Sequence, residues 1–385
     1  MSAEVLELSR ALIGRPSVTP EDAGALGILE NFLALLGFTC HRLPFSETGT
    51  PDVDNLYARI GADAPNFCFA GHTDVVPPGD ANDWTSDPFM PEVRDGVLYG
   101  RGTADMKCAV AAFTVAAARI VRAKGADGLG GSISFLITGD EEGPAINGTI
   151  KVLNWMRQNG EVIDACLVGE PTNPVRLGEM VKIGRRGSLN ATVTVKGTQG
   201  HVAYPDIADN PVPRLLAFLK AVDDHVFDTG NAHFQPTNLE ITTIDIGNST
   251  SNLIPAKAEA RLNIRFNDEH TGADLSTFLE GLCREHTDGT GTLGISISGE
   301  SFLSPPGQLS TIVADAILKV TGLQAKLSTT GGTSDARFIK NHCPVVEFGM
   351  INETAHKVDE NARVDDITAL TDIYEAVLTN YFASS

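Results

Sequence analysis

The run Phe67-Cys68-Phe69-Ala70, followed by Gly71-His72-Thr73-Asp74, decides how this sequence is interpreted. A short and continuously apolar run is typical of a strand buried on both faces. Because strand side chains alternate, His72 and Asp74 share one face at the carboxyl end of that strand. Open α/β sheets bind ligands just beyond the carboxyl ends of their strands. The run therefore predicts a metal-capable imidazole and a carboxylate at the position of an active site.

The composition narrows the class of protein. The chain has 385 residues, more than one hydrophobic core usually organises, so we expect two domains. A net charge of −20 opposes binding to nucleic acid, because phosphates would be repelled. The first residues lack the basic region of a signal peptide, and no apolar run is long enough for a bilayer, so we expect a cytoplasmic protein without membrane contact. Six scattered cysteines without a C-x-x-C pair argue against disulfides and against cysteine-bound zinc.

Residues 1–181 alternate between helical and strand-like patterns. The strand-like runs are continuously apolar, as in central strands covered on both faces. This alternation predicts an α/β fold, with a sheet between two layers of helices. The predicted strands are Asn66–Ala70, Ile133–Thr138 and Ala165–Val168, and the predicted helices are Glu4–Ile13, Ala23–Leu36 and Cys108–Ala123.

Apolar and polar residues alternate over residues 182–298. Period-two alternation is typical of a sheet with one solvated face. Two helical stretches separate the strands, which gives the order βαββαβ of a ferredoxin-like α+β domain. The predicted strands are Asn190–Val195, Leu239–Ile246, Ala258–Phe266 and Gly294–Ser298, and the predicted helices are Pro211–Val226 and Gly272–His286.

The first pattern returns over residues 299–385. It predicts helices at Ser310–Thr321 and Ile367–Phe382 and a strand at Pro344–Phe348. We therefore expect a catalytic α/β domain formed by residues 1–181 and 299–385, interrupted by an inserted α+β domain at residues 182–298.

Five segments carry a histidine or a carboxylate beside small or turn-forming residues. They are Gly71–Asp74, Gly102–Lys107, Gly139–Gly143, Val168–Thr172 and Thr354–Lys357. Zinc binds imidazole nitrogen and carboxylate oxygen, and a catalytic zinc keeps one position open. The three adjacent acids Asp140-Glu141-Glu142 repel one another unless a cation or a shared proton relieves them. Each segment alone fits a solvated turn or a structural histidine, but together they favour a metal centre.

These segments resemble those of the di-zinc aminoacylase and carboxypeptidase family of metallohydrolases along nearly the whole chain. The resemblance implies a zinc-exopeptidase-like catalytic domain, and an inserted domain that acts as a lid and joins two subunits in a homodimer. It implies two Zn²⁺ ions per subunit, with Co²⁺ as an alternative at one position. The implied ligands are His72, Asp105, Glu142, Glu170 and His356. Asp105 would bridge the ions, with His72 and Glu170 on one and Glu142 and His356 on the other.

The resemblance also assigns three residues to the hydrolysis of a linear amide C–N bond. Glu141 would be the general base, and Asp74 would orient His72. His201, in the segment Gly200–Pro205, would donate a hydrogen bond to the oxyanion in the site of the neighbouring subunit. The family pattern further implies a cis peptide after Asp105.

Longer motifs narrow the expected substrate. Those that carry the resemblance are Asp140–Thr149, Gly184–Leu189, Gly200–Pro205, Thr330–Arg337 and Glu347–Asn352. They are similar to the motifs of family members that act in bacterial amino-acid biosynthesis on a small-molecule amide with carboxylates at both ends. The implied substrate contacts are Arg185, Ser188, Tyr204, Asn252, Arg265, Gly332, Thr333 and Asn352. Arginine suits bidentate capture of a carboxylate.

Two positions depart from the family pattern, and three other functions compete. Cys108 stands where glycine is usual and predicts sensitivity to oxidation, and Pro213 stands where a polar residue is common. Within the same chemistry, the alternatives are a deacetylase of N-acetylornithine and a general aminoacylase or dipeptidase. A non-catalytic metal-binding protein is a more remote alternative. A serine hydrolase using Thr333-Ser334-Asp335 is disfavoured because the sequence has no G-x-S-x-G elbow.

Overall fold

The structure, a computed structural model, describes residues 2–383. Contacts between residues divide the chain into two compact units. Unit 1 comprises the chain up to Ile183, the segment Ser304–Ser328 and the chain from Ser334 onward. Unit 2 comprises Gly184–Leu303 together with Thr329–Thr333.

The strands and helices are numbered in chain order over residues 2–383. The strands are β1 (Thr39–Arg42), β2 (Leu56–Ile60), β3 (Asn66–His72), β4 (Glu92–Arg94), β5 (Val97–Tyr99), β6 (Ser132–Thr138), β7 (Ala165–Val168), β8 (Met180–Lys182), β9 (Gly184–Arg185), β10 (Gly187–Lys196), β11 (Gly200–His201), β12 (Asn238–Asp245), β13 (Leu253–Ile254), β14 (Lys257–Phe266), β15 (Gly291–Gly299), β16 (Phe302–Leu303), β17 (Lys326–Ser328), β18 (Val345–Glu347) and β19 (Asn361–Arg363). The helices are α1 (Ser2–Ile13), α2 (Ala25–Leu35), α3 (Cys108–Lys124), α4 (Thr149–Gln158), α5 (Pro211–Asp223), α6 (Gly272–His286), α7 (Gln308–Thr321), α8 (Ala336–Ile339) and α9 (Val364–Ala383). Each of these described helices is too short or too polar to cross a membrane.

Unit 1 is built on an eight-stranded sheet with the order β1-β2-β6-β3-β7-β18-β8-β17. Its centre is parallel, because β3 pairs with β6 and β7, and β18 pairs with β7. Strands β3 and β6 are buried at every residue, as their continuous apolar runs predict. The carboxyl ends of these four strands meet at one edge of the sheet, where the chain segments that follow them come together.

Strand β3 ends at His72, two residues beyond the predicted strand. The strand extends because Gly71 and His72 stay in register with Ile137 and Thr138 of β6. The imidazole therefore sits on the last residue of a hydrogen-bonded central strand and has a fixed backbone.

An aromatic cluster packs α3 and α9 against β3. The ring of Phe69 on β3 stacks on Phe113 of α3, with centroids 4.4 Å apart, and Phe113 meets Phe135 of β6 edge to face at 5.3 Å. Tyr374 of α9 joins the cluster and donates its hydroxyl hydrogen to the carbonyl of Phe348 at 2.6 Å. Each aromatic pair adds about 0.5–1.5 kcal/mol beyond the burial of its area. The cluster thereby holds α3 and α9 against the strands whose ends carry the predicted ligands.

Several short elements are not predicted from the sequence. Strands β1 and β2 form the antiparallel edge of the sheet, and Arg42 and Arg59 interrupt their apolar pattern. The three-stranded sheet β19-β5-β4 is made of three-residue strands, too short to show a period. Helix α4 begins at Thr149, directly after the turn-rich segment 143–148, and its amphipathic pattern is correspondingly short.

Unit 2 contains a four-stranded antiparallel sheet with the order β12-β14-β10-β15. Helix α5 follows β10 and helix α6 follows β14, which gives the predicted order βαββαβ and the ferredoxin-like arrangement. Both helices pack against the inward faces of β10 and β14 in one core. It includes Leu215 of α5 and Leu279 of α6, with Leu189 and Val193 of β10 and Leu262 of β14. The prediction of an α/β fold with a ferredoxin-like α+β part is confirmed.

Candidate metal centre

His72 is fully buried at the end of β3. Its Nδ1 lies 2.9 Å from the backbone oxygen of Asp74, and a ring that donates from Nδ1 presents the lone pair of Nε2. Nε2 faces two carboxylates, Asp105 Oδ1 at 3.1 Å and Glu170 Oε1 at 3.7 Å. Burial lowers the pKa of the imidazole, but the hydrogen bond and charge of Asp105 outweigh this and hold the pKa well above its usual value. A metal ion would displace the proton from Nε2, and the ring is oriented as a nitrogen ligand between two oxygen ligands.

Asp105 lies between the two predicted histidines. Its Oδ2 is 3.3 Å from His356 Nε2, while its Oδ1 faces His72. The same nitrogen of His356 is 2.7 Å from Glu142 Oε1. Burial raises the pKa of Asp105, but the hydrogen bonds with His356 and His72 dominate and lower it. The hydrogen bonds with Asp105 and Glu142 raise the pKa of His356 to about 10. One carboxylate thus contacts both imidazoles, the arrangement that a bridging ligand needs.

A cis peptide joins Asp105 to Met106, as the resemblance implies. The side chain of Met106 is fully buried beside Gly71 and Gly169, at the ends of β3 and β7. A Cβ on Gly71 would lie 2.4 Å from Met106 Cε, and a Cβ on Gly169 would lie 2.6 Å from the same atom. Glycine at both strand ends therefore makes room for Met106, and Met106 in turn seats the Asp105 turn above the sheet.

Asp74 is 1% exposed and supports the acids that follow β6. Its carboxylate accepts hydrogen bonds from the backbone N–H of Glu142 at 3.0 Å and of Glu141 at 3.4 Å. Burial raises the pKa of Asp74 to about 6, against the lowering effect of His72. The carboxylate is 3.6 Å from His72 Nδ1, so the close contact to the ring comes from the Asp74 backbone carbonyl instead. Asp74 thus positions Glu141 and Glu142 through its side chain and His72 through its main chain.

Two groups of side chains have ligand atoms within 4.8 Å of one another. One consists of His72, Glu141 and Glu170, and the other of His72, Asp105 and Glu142. Burial, together with the charge of Glu170, raises the pKa of Glu141 well above its usual value. Four carboxylates so close together repel one another unless cations or protons compensate. Imidazole nitrogen and carboxylate oxygen are donors that zinc accepts, so this donor set fits a pair of divalent ions.

Two functional candidates next to this centre were missed in the sequence. Arg101 and Glu360 form an ion pair at 2.6 Å, with side chains 2% and 0% exposed. Glu360 contacts the turn that carries Asp105. Each residue lies within four positions of a predicted ligand, Asp105 or His356, and that proximity was the available signal.

Unit 2 contains several of the predicted substrate contacts, and two of them lie on paired strands. Ser188 of β10 pairs directly with Arg265 of β14, and both are linked to Asn263, Ser188 at 3.3 Å and Arg265 at 3.0 Å. Arg185 lies on the short strand β9, and its guanidinium approaches the backbone of Gly331. Gly332 and Thr333 belong to the same segment, Thr329–Thr333, which packs within unit 2.

A second group in unit 2 surrounds the β11–β13 ladder. His201 pairs with Leu253, and the N–H of Val202 donates to the carbonyl of Asn252 at 3.2 Å. The ring of Tyr204 lies 5.6 Å from the ring of His201 and is exposed. The remaining predicted contact, Asn352, belongs to unit 1, where its N–H donates to the carbonyl of Asn173 at 2.8 Å.

The two departures from the family pattern have simple structural consequences. Cys108 is fully buried in α3, and burial raises the pKa of its thiol to about 12. A buried, protonated thiol reacts slowly with oxidants, so the burial of Cys108 argues against the predicted oxidation sensitivity at this position. Pro213 lies in the first turn of α5, where proline is tolerated because its missing N–H would have no helical partner.

Comparison with known proteins extends these observations. The model of peptidase family M20/M25/M40 matches residues 68–380. Curated relatives named succinyl-diaminopimelate desuccinylase include that of Parvibaculum lavamentivorans, 58% identical over 98% of this chain and 95% of the relative, and that of Rhodospirillum centenum, 58% identical over 100% and 99%. Among solved structures, a tripeptidase from Staphylococcus aureus matches with a TM-score of 0.80 at 18% identity, covering 100% of this chain and 99% of the other. A dinuclear metal-binding peptidase from Bacillus subtilis matches with a TM-score of 0.72 at 16% identity, covering 100% and 99%.

Proposed function

This chain belongs to peptidase family M20/M25/M40, and we propose that it hydrolyses N-succinyl-LL-2,6-diaminopimelate to succinate and LL-2,6-diaminopimelate. The observation that carries the proposal is 58% identity, over nearly the full length, to relatives named for this desuccinylase activity. The reaction is a step in bacterial diaminopimelate and lysine biosynthesis, and we place it in the cytoplasm. It breaks one amide C–N bond and consumes one water.

The donor set supports two zinc ions per subunit, with cobalt as an alternative at one position. His72 and Glu170 would hold one ion, Glu142 and His356 would hold the other, and Asp105 would be shared. When bound, such a pair of ions supplies Lewis acidity for attack on the amide carbonyl.

Glu141 is the general base in this proposal. It stands beside the ligand Glu142, and burial with the charge of Glu170 raises its pKa well above the usual value, so it binds protons more strongly than a solvent-exposed glutamate. Its carboxylate takes a proton from the attacking water and returns that proton to the leaving amine nitrogen. The hydrogen bonds from the Glu141 and Glu142 backbone to Asp74 hold the base and its neighbouring ligand in a fixed relation.

The contacts predicted in unit 2 would serve substrate recognition. The substrate carries carboxylates at both ends, and an acidic protein must hold them with local cations. Arg185 and Arg265, with Ser188 between them in sequence, are suited to this because guanidinium groups bind carboxylates in a bidentate manner. Tyr204, Asn252, Gly332 and Thr333 complete the proposed set in unit 2, and Asn352 of unit 1 is proposed with them.

We further propose a homodimer formed through the inserted domain at residues 182–298, which also serves as a lid. In that dimer, His201 donates a hydrogen bond to the oxyanion that forms in the site of the neighbouring subunit. The exposed position of His201 in unit 2 is compatible with this role.

The proposal is tested by a steady-state assay of zinc-loaded protein on paired substrates, N-succinyl-LL-2,6-diaminopimelate and N-acetylornithine. We expect kcat/KM to favour the succinylated substrate by about 10–100-fold, which corresponds to the roughly 1.5–3 kcal/mol of a hydrogen bond to a charged group. We also expect activity to disappear on chelation and to return with zinc. Preference for the acetylated substrate would replace this proposal by the deacetylase alternative, and metal binding without turnover of either substrate would indicate a binding protein.

A further inference from the structure

A buried ion pair joins the two loops that carry Asp105 and His356. Glu360, four residues after His356, and Arg101, four residues before Asp105, approach to 2.6 Å. Their side chains are 0% and 2% exposed. A buried ion pair is weak evidence for stability, because desolvation offsets much of the attraction. The role of the pair must therefore be inferred from the other contacts of Glu360 and of Arg101.

The Glu360 carboxylate is devoted to the turn that presents Asp105. Oε1 accepts hydrogen bonds from the backbone N–H of Ala104 at 2.8 Å and of Asp105 itself at 3.0 Å. Oε2 accepts from the N–H of Gly102 at 3.0 Å and from Arg101. Both carboxylate oxygens thus bind groups in residues 101–105, and each interaction is a charge-assisted hydrogen bond.

The Arg101 guanidinium reaches the other loop. Nη1 donates to the carbonyl of Lys357 at 3.2 Å, and Nη2 lies 3.5 Å from the carbonyl of His356. The guanidinium also stands over the ring of Trp84, with 5.2 Å between the central carbon and the ring centroid. His356 has a φ of +64°, in the left-handed region that residues other than glycine adopt uncommonly. Arg101 contacts the carbonyls of His356 itself and of the next residue, Lys357.

We propose that the Arg101–Glu360 pair is a positioning pair for the metal centre, which fixes the Asp105 carboxylate relative to the His356 imidazole. Asp105 Oδ2 and His356 Nε2 are 3.3 Å apart, and neither residue lies on a strand. The pair therefore controls the affinity of the ion that Asp105, Glu142 and His356 would share, more than that of the ion on the strand-borne His72. This inference rests on the two-ion site of the proposed function.

The test is titration of metal-free Glu360→Gln protein with Co²⁺, followed by visible absorption and calorimetry. The groups that hydrogen-bond the Glu360 carboxylate are all donors, so the amide of glutamine would bring a donor against a donor. We expect one ion to bind with nearly the wild-type affinity and the second about 10–100-fold more weakly, the range for loss of a partner behind a metal ligand.

Glu161→Gln is the matched control. Glu161 accepts hydrogen bonds from Arg59 at 2.7 Å and from the Tyr57 hydroxyl at 2.8 Å. It precedes β7 in the chain and so lies near the amino end of that strand, away from the carboxyl ends that carry the predicted ligands. Glu161→Gln is expected to leave the affinities for the first and the second Co²⁺ ion unchanged.

Arg101→Lys provides a second variant, in case Glu360→Gln does not fold. Lysine keeps the charge but lacks the fork that reaches the carbonyls of His356 and Lys357. Its second Co²⁺ is also expected to bind at least 10-fold more weakly, with a changed visible spectrum. Wild-type affinity for both ions in a folded variant would overturn the positioning role. Failure of the wild-type protein itself to bind two ions would instead overturn the two-ion site.

Discussion

Replacing Asp74 by asparagine tests how the acids after β6 are held. The two side chains have nearly the same shape, but an asparagine exchanges one acceptor oxygen for a donor NH₂. In the wild-type protein both oxygens accept, one from the N–H of Glu142 at 3.0 Å and one from the N–H of Glu141 at 3.4 Å. One of these N–H groups would then face a donor.

The magnitude follows from the type of bond that is lost. A hydrogen bond to a charged group is worth about 1.5–3 kcal/mol, and each 1.36 kcal/mol corresponds to a factor of ten. In the metal-free protein the segment that carries Glu142 can shift, which recovers part of the free energy of the lost hydrogen bond. When an ion holds the Glu142 carboxylate in place, relaxation is restricted, so the cost falls on metal binding. We therefore expect Asp74→Asn to weaken metal affinity by about 10–100-fold, and to lower kcat/KM by a similar factor at limiting metal.

The assay is calorimetric zinc titration of metal-free protein, with Asp164→Asn as the matched control. The Asp164 carboxylate also accepts from a backbone N–H, that of Asn66 at 2.7 Å, but at the start of β3 instead of beyond its end. Asp164→Asn is expected to lower the free energy of unfolding by about 1–3 kcal/mol without changing zinc affinity. If Asp74→Asn bound zinc as tightly as the wild-type protein, the argument that Asp74 positions Glu142 would be refuted.

Three further substitutions test the general base, the oxyanion donor and the packing under the Asp105 turn. Glu141→Ala should bind two metal ions per chain by metal analysis yet lose about 10²–10⁴-fold in kcat, the usual contribution of a general base; retained turnover would remove Glu141 from that role. His201→Ala should lower kcat about 10²-fold with little change in KM, as for loss of one oxyanion donor, and an unchanged rate would place His201 outside the reaction. Gly169→Ala should destabilise the protein by about 1–3 kcal/mol in urea titration, because its Cβ would lie 2.6 Å from Met106 Cε and from Phe69 Cζ; unaltered unfolding would contradict the packing described for the Asp105 turn.

The architecture could be predicted from sequence where patterns are long. The apolar runs of β3, β6 and β7 and the alternation of β10 and β14 are unambiguous, so the α/β fold and the ferredoxin-like order of unit 2 followed from them. The edge strands β1 and β2 have charged residues in their pattern and only four and five residues, so their pairing depends on the neighbouring sheet rather than on local sequence.

The candidate site likewise has a part that could be predicted from the sequence and a part that could not. The five predicted ligands stand out in the sequence because each lies at a strand end or turn. The structure links them in pairs, with His72 next to Asp105 and Glu170, and His356 next to Asp105 and Glu142. For Arg101 and Glu360, the partners behind these ligands, the only sequence signal is proximity to Asp105 and His356; their pairing is not predictable from it, since the link from Glu360 to the Asp105 turn spans 255 residues of chain. The resemblance implies that Asp74 orients His72. In the structure the backbone carbonyl of Asp74 contacts the ring, while its carboxylate accepts hydrogen bonds from the backbone of Glu141 and Glu142. Such partners depend on tertiary distances that no local pattern encodes.

The most direct test of a two-ion centre is anomalous diffraction at the zinc edge from crystals of the zinc-loaded protein. We predict two peaks per chain, one against His72 and Glu170, the other against Glu142 and His356, and both in contact with Asp105. A single peak, or peaks away from Asp105, would contradict the proposed centre and the hydrolysis that depends on it.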